Sequence, residues 1–215
     1  MRLHRGGSFR RRLARFLGRD EARGDELWRR ILHGSGALVL VYYLVPAGFF
    51  GVVPKEAVLL AALALAVALD ASRLFGGVEL PTIRPYEARR PASFLFYALA
   101  LVLALLLFPE AVATVVVLGT ALVDPIAGEL RRTVASRAVQ LGVPGFVYAV
   151  LAVAALVLVG RWPWPVAGAL AAAAAAAAVV AERVRYAWVD DDLTMTIVPA
   201  LLLWAVGVRV LGLPG

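Results

Sequence analysis

The sequence contains no cysteine, and its single lysine, Lys55, stands against 21 arginines. The absence of thiols excludes disulfides, cysteine nucleophiles and cysteine-ligated zinc. No compact apolar leader with a small-residue cleavage site is present at the arginine-rich start, so a secretory signal peptide is not predicted. No nucleic-acid-binding motif accompanies the net charge of +7, so we expect no nucleic-acid partner.

Long polar stretches are also scarce. The chain is 62% hydrophobic and 17% charged, with a mean hydropathy of +0.83, and its apolar residues form long blocks. The sequence therefore predicts an all-α, polytopic membrane protein, a bundle of about seven transmembrane helices. The predicted spans are 31–50, 57–75, 92–108, 111–128, 143–160, 163–181 and 193–213.

The basic residues are distributed unevenly between the two sides of the predicted bundle. With the N-terminus in the cytoplasm, 19 of the 22 basic residues fall in cytoplasmic segments, and Lys55, Arg161 and Arg209 fall outside. This asymmetry predicts a multi-pass cell-membrane protein with a cytoplasmic N-terminus and an outer C-terminus. Of the acids, only Glu56 and Glu110 fall in outer loops, so polar chemistry is predicted at the cytoplasmic face.

Two regions are predicted along the chain. Residues 1–25 form a basic cytoplasmic segment, in which Phe9, Leu13 and Phe16 recur at helical spacing among arginines. This pattern fits an amphipathic helix on anionic membrane lipids, and a disordered tail is the alternative. Residues 26–215 form the transmembrane bundle.

Three consecutive aspartates, Asp190, Asp191 and Asp192, stand directly before the last apolar run. Like charges at a membrane edge are unfavourable unless a cation or arginines compensate them. The triplet therefore indicates a metal or a cationic partner. A helix cap is the alternative interpretation, because aspartate is favoured at helix N-termini.

Asp124 lies about one turn inside the fourth predicted span. A carboxylate at the centre of a spanning helix costs roughly 3 kcal/mol. Pro125 leaves a backbone carbonyl nearby without its helical donor, so carbonyl and carboxylate oxygens can both face a cation. Asp124 is therefore a candidate metal ligand.

Arginines recur in the segments that flank the spans. Glu26, Arg29, Arg30 and His33 share one helix face, where the arginines can bind a phosphate. The alternative for this face is an intrahelical ion pair with side chains reaching the interface.

Two further segments carry charge on the same predicted side. Asp70 and Arg73 fit a capping pair, whereas the long loop 76–91 holds Arg84 and Glu87 and fits a functional role. Carboxylates can hold Mg²⁺ and arginines can hold phosphates, which suits a reaction between a cytosolic nucleotide and a lipid headgroup.

These motifs resemble a known family. Glu26-x-x-Arg29-Arg30-x-x-His33 resembles the E-x-x-R-K-x-x-H pattern of dolichol kinases, phytol kinases and CTP-dependent diacylglycerol kinases, which are related to phosphatidate cytidylyltransferases. Arg84-x-x-Glu87 resembles a later R-x-x-E. Asp124-Pro-Ile-Ala127 resembles the G-D-x-x-A element, and Glu182 with Asp190-Asp191-Asp192-Leu193-Thr194 resembles the late acidic signature.

The resemblance implies a CTP-dependent lipid kinase that phosphorylates an isoprenoid or related lipid alcohol with Mg²⁺ as cofactor. It implies catalytic roles for Asp124 and Asp191. The other implied residues are Arg29, Arg30, His33, Arg84, Arg131 and Arg132 for the nucleotide or phosphate, Asp124, Asp190, Asp191 and Asp192 for the metal, and Glu26, Asp70, Glu87 and Glu182 in support.

The chain departs from the family pattern after Asp124. The family's Lys-Ser-x-Glu-Gly segment has no counterpart in 131–145, where Arg131, Arg132 and Arg137 are the basic residues. Two alternatives therefore stay open beside the kinase: cytidylyl transfer to a phospholipid, and a catalytically degenerate membrane protein without enzymatic function.

Overall fold

A computed structural model of the chain describes residues 30–46, 48–49, 53–78, 80, 83–84, 87–183 and 189–214. The predicted basic segment 1–25 lies outside the described residues, and so do Glu26 and Arg29. The described part is mostly helical, with several helices long and apolar enough to cross a membrane. This confirms the predicted membrane-helix character.

A short first helical segment, residues 30–43, is α-helical over 30–35 and continues as the 3-10 helix Gly36–Tyr43. Six longer helices follow in the described part of the chain. They are α1 (Lys55–Gly76), α2 (Ser93–Leu107), α3 (Glu110–Thr133), α4 (Arg137–Leu158), α5 (Trp164–Arg183) and α6 (Asp191–Val210).

Five of these helices, all except α2, have the length and composition of a membrane span. Proline limits α2, because Pro91 precedes it and Pro109 follows it. Its 15 residues extend only about 22 Å at the helical rise, which is less than the roughly 30 Å of a hydrocarbon core. The six helices lie where the last six spans were predicted.

The predicted first span, 31–50, has a different structure from a continuous helix. The 3-10 helix ends at Tyr43, and the strands β1 (Gly48–Phe49) and β2 (Val53–Pro54) then pair antiparallel, Gly48 with Pro54 and Phe49 with Val53. Pro46 and Pro54 have no amide donor for a helix. This small hairpin departs from the all-α prediction.

Helix α3 forms the centre of the bundle. All residues from Ala111 to Val117 are buried, and α2, α4 and α6 pack around them. In the most apolar part of α3, 61% of the residues are buried inside the bundle, whereas the share for α1 is 11%. Helix α1 is therefore peripheral and packs mainly on α2.

Helix α5 presents a face of small side chains to its neighbours. Ala171, Ala174, Ala175 and Ala178 are buried at the spacing of a single helix face, and α5 packs on α4 and α6. Alanine permits close approach of helices in a membrane bundle. The alanine-rich run thus has a packing role.

A π-helical turn, Gly119–Val123, interrupts α3 directly before Asp124. Pro125 has no N–H, so the carbonyl of Ala121 loses its α-helical donor, which favours such a distortion. A side chain at position 119 would overlap the ring of Tyr148 on α4, so glycine is required for this close approach. Turns of this kind often occur at functional sites.

Trp162, in the connection between α4 and α5, lies at the end of the bundle opposite to Asp124. Its side chain is buried, and its Nε1–H donates to the carbonyl of Pro214 at 2.7 Å. A Cβ at Gly207 of α6 would overlap the indole ring. Trp162 therefore fastens the end of α6 that lies far from the aspartate triplet.

Candidate active site

The aspartate triplet begins α6. Asp190 is the N-cap, and its Oδ1 accepts a hydrogen bond from the N–H of Asp192 at 3.4 Å. Asp191 and Asp192 occupy the first turn, where the helix dipole stabilises negative charge. The capping interpretation thus accounts for Asp190, whereas Asp191 and Asp192 line a pocket.

His33 of the first helical segment contacts the triplet. Its Nε2 lies 3.2 Å from each carboxylate oxygen of Asp192, and both side chains are buried. The ring stacks on Tyr97 of α2 with centroids 4.4 Å apart, and the Tyr97 hydroxyl donates to the His33 carbonyl at 2.7 Å. These contacts join the first helical segment to α2 and α6.

Asp124 follows the π turn and faces the same pocket. Its side chain is 26% exposed, and the Nη2 of Arg131 lies 3.9 Å from its Oδ1. Behind it, the hydroxyls of Thr120 and Thr196 are 2.7 Å apart, and Thr196 donates to the carbonyl of Asp192 at 2.8 Å. The two threonines thereby tie α3 to α6 beneath the acids.

Three of the predicted arginines, Arg30, Arg84 and Arg131, line the pocket. Arg30 and Arg131 also form ion pairs with glutamates. Arg30 Nη1 contacts Glu129 at 2.5 Å, and Arg131 pairs with Glu182 as well as with Asp124. Arg132 binds Glu129 at 3.1 Å and does not line the pocket. The glutamates hold these guanidinium groups at the pocket rim.

The pocket lies at one end of the bundle and draws on distant parts of the sequence. Acids and arginines make up most of its lining, so it suits a ligand that carries both phosphate and a bound cation. Its lining residues are Arg30, His33, Arg84, Asp124, Pro125, Gly128, Arg131, Asp191 and Asp192.

Two groups of side chains in the described residues can hold a metal ion. One consists of His33, Asp124 and Asp192, and the other of Asp190, Asp191 and Asp192; in each group the ligand atoms lie within 4.8 Å of one another. Carboxylate oxygens are the protein ligands that Mg²⁺ prefers. The carboxylates of these groups therefore fit the predicted Mg²⁺.

Beside the pocket, a second polar cluster fixes the loop before α2. We call the cluster of Asp70, Arg73, Glu87 and Ser93 the loop network. Arg73 donates from Nε to Asp70 at 2.9 Å and from its Nη atoms to the carbonyls of Glu87 at 2.9 Å and Arg90 at 2.7 Å. Asp70 and Glu87 are buried here and do not line the pocket.

Glu87 shapes the loop that carries Arg84 to the pocket. Its carboxylate accepts from the Arg84 N–H at 2.9 Å and from the Ser93 hydroxyl. The Ser93 hydroxyl also lies 3.2 Å from Asp190 Oδ2, and Arg90 lies 3.9 Å from the same atom. Ser93 thus connects the loop network to the triplet.

Sequence reasoning did not select Ser93, Tyr97, Thr120, Glu129 and Thr196. One signal was available for the threonines, since Thr120 precedes Asp124 by four residues and Thr196 follows Asp192 by four. Polar residues at that spacing from an acid often share its helix face. Ser93 and Tyr97 also stand four apart.

Comparison with known proteins adds no relative. No family model matches the chain, and neither the curated proteins nor the solved structures contain a significant match.

Proposed function

We propose that the protein is a CTP-dependent lipid kinase that phosphorylates an isoprenoid-like or related lipid alcohol at the cytoplasmic face of the cell membrane. The observation that carries the proposal is the single pocket shared by Asp124, Asp191, Asp192, Arg30, Arg84 and Arg131. Phosphoryl transfer needs positioning and charge neutralisation more than covalent chemistry from the protein.

The proposed orientation puts the pocket on the cytoplasmic side. Arg84, Arg131 and Glu182 belong to the arginine-rich segments that the positive-inside rule assigns to the cytoplasm, and all three meet at the same end of the bundle. The first helical segment and α2 count as short spans in this topology of seven crossings. The N-terminus is then inside and the C-terminus outside.

In the proposed reaction, the lipid hydroxyl oxygen attacks the γ-phosphorus of CTP. The bond from that phosphorus to the β–γ bridging oxygen breaks, CDP leaves, and the hydroxyl proton passes to the aqueous side. Arg30, Arg84 and Arg131 neutralise the phosphates. Asp124 and Asp191 orient the hydroxyl, and together with Asp190 and Asp192 they would hold Mg²⁺. A bound Mg²⁺ supplies further neutralisation of the phosphate charge.

One structural observation favours a second candidate, a degenerate bundle without catalytic function. The ion pairs of Arg30 with Glu129 and of Arg131 with Glu182 compete with phosphate for the same guanidinium groups. Cytidylyl transfer to a phospholipid uses the same site and differs in the bond of CTP that is broken.

Labelled CTP separates these candidates. Membranes with the wild-type protein are incubated with lipid alcohol and CTP labelled at either the α- or the γ-phosphate. A kinase transfers only the γ label to lipid, a cytidylyltransferase transfers the α label, and a degenerate protein transfers neither. Asp124→Asn should reduce transfer roughly 100-fold or more, whereas Glu110→Gln, at the far end of the same helix, should retain it.

A further inference from the structure

The pocket contains a nitrogen donor among its carboxylates. His33 Nε2 and carboxylate oxygens of Asp124 and Asp192 lie within 4.8 Å of one another. The three residues come from the first helical segment, α3 and α6, so only the folded bundle brings them together. Asp124 opens toward the pocket, and the other two side chains are buried.

The spacing of His33 and Asp192 is that of neighbouring metal ligands. Ligands about 2.1 Å from an octahedral ion and at right angles to each other are about 3 Å apart. The Nε2 atom lies 3.2 Å from both oxygens of Asp192, whereas a charge-assisted hydrogen bond is typically about 2.7–2.9 Å. The spacing is at the long end for a hydrogen bond and equally suits two neighbouring ligands of one ion.

The surrounding contacts fix the donors in this arrangement. Tyr97 stacks on the imidazole and holds the His33 backbone. Thr196 binds the Asp192 carbonyl. Rigid support of this kind orients metal ligands and sharpens the choice of metal.

The all-aspartate group is less suited to an ion. Asp190 is the helix cap, and its Oδ2 also lies 3.2 Å from the Ser93 hydroxyl. By contrast, Arg131 approaches Asp124 no closer than 3.9 Å, a long ion pair that a divalent cation can replace. The group that contains histidine is thus the better site.

We propose that His33, Asp124 and Asp192 form a mixed nitrogen–oxygen site that binds a first-row transition-metal ion such as Mn²⁺ in preference to Mg²⁺. Imidazole favours transition ions, whereas Mg²⁺ favours oxygen ligands and retains water. The inference deepens the proposed kinase function and rests on it for the role of the pocket. The choice of metal is measured without nucleotide.

The first experiment uses the purified full chain in detergent with Mn²⁺ alone or Mg²⁺ alone. Loss of the free Mn²⁺ electron paramagnetic resonance signal reports binding, and thermal unfolding compares the two ions. We expect half-maximal stabilisation at a roughly tenfold lower concentration of Mn²⁺ than of Mg²⁺. Equal concentrations, or a preference for Mg²⁺, would overturn the inference.

The second experiment identifies the nitrogen ligand. Pulsed spectroscopy of Mn²⁺ bound to the wild-type protein should show ¹⁴N coupling from one imidazole. His33→Gln should remove this coupling and raise the Mn²⁺ requirement at least roughly tenfold, while His4→Gln, which changes the other histidine of the chain, should do neither. No ¹⁴N coupling in the wild type would also overturn the inference, and this measurement does not depend on folding of a variant.

The outcomes are distinct from those of the kinase assay. Mn²⁺ bound through His33 without any transfer of label from CTP would retain the metal site and reject the kinase. Transfer of the γ label with Mg²⁺, with no preference for Mn²⁺, would retain the kinase and reject the metal site.

Discussion

The loop network and the pocket lie side by side and use the same residue types, but their acids are bound very differently. In the loop network, Asp70 accepts from Arg73 Nε at 2.9 Å and from the N–H of Ala92 at 3.4 Å, and Arg73 Nη2 forms an ion pair with it at 2.7 Å. Glu87 accepts from Arg84 and Ser93. These carboxylates have their partners within the protein.

In the pocket, the shortest contacts of Asp124 and Asp192 are longer than those of Asp70 and Glu87. Arg131 lies 3.9 Å from Asp124, and His33 lies 3.2 Å from both oxygens of Asp192. The acids there face an accessible space lined by arginine. Carboxylates that hold the fold and carboxylates that can act on a ligand therefore differ in how fully donors of the protein bind them, and not in residue type.

The largest expected effect is on stability, from Asp70→Ala in the loop network. This change leaves Arg73, which is 6% exposed, as an uncompensated buried charge, so unfolding should become easier by about 3–5 kcal/mol. Denaturant unfolding in mixed micelles measures the loss. Adding Arg73→Met should recover part of it, and a loss below about 1 kcal/mol for Asp70→Ala would contradict the structural role.

Asp124→Asn should have the opposite profile. Since Asp124 is partly exposed and only loosely paired, stability should change by less than about 1 kcal/mol. Lipid phosphorylation should fall roughly 100-fold or more, as expected for removal of one group that stabilises transition-state charge. Glu110→Gln is the matched control. An Asp124→Asn protein that is destabilised but keeps wild-type activity per folded molecule would reject the assignment.

Ser93→Ala tests the connection between the two clusters. The variant removes one donor shared by Glu87 and Asp190, so stability should fall by about 1–3 kcal/mol. Activity should fall less than in Asp124→Asn. Ser93→Thr, which keeps the hydroxyl, should restore both, and an Ala variant that matches wild type in thermal unfolding would show that the clusters are independent.

Arg84→Gln should give the smallest effect, confined to the nucleotide. Loss of one charge-assisted phosphate contact, worth about 1.5 kcal/mol, should raise KM for CTP roughly tenfold with little change in kcat. Arg89→Gln, on the same loop but exposed and outside the pocket, is the control. Equal KM values for both variants would exclude Arg84 from phosphate binding.

The sequence alone predicted much of the bundle, because long apolar runs and proline breaks report helices directly. It also predicted that Arg30, His33, Arg84, Asp124 and Asp191 share one end, since the positive-inside rule depends only on charge counts. Their roles in catalysis stay predictions.

The remaining features depend on tertiary contacts that no local pattern encodes. The close approach of Gly119 to the Tyr148 ring joins two helices, and the hairpin after Tyr43 lies in a stretch as apolar as a span. Arg30 and Arg132 meet at Glu129, and Arg30 is 99 residues away from it along the chain. Spacing indicated the pair of Asp70 with Arg73, three residues apart, but not the contacts of Arg73 with the carbonyls of Glu87 and Arg90.

Helix α6 is anchored at both ends, by the Asp190 cap at one and by Trp162 beside Gly207 at the other. Both ends of α6 are therefore held by contacts with other parts of the bundle, although Pro199 and the π-helical segment Leu203–Val210 lie between them and Gly207 is within that segment. Gly207 stands roughly four helical turns from Asp191. Replacing Gly207 with alanine, whose Cβ would overlap the Trp162 ring, should therefore shift Asp191 and Asp192 relative to His33 and alter the pocket from the opposite end of the bundle.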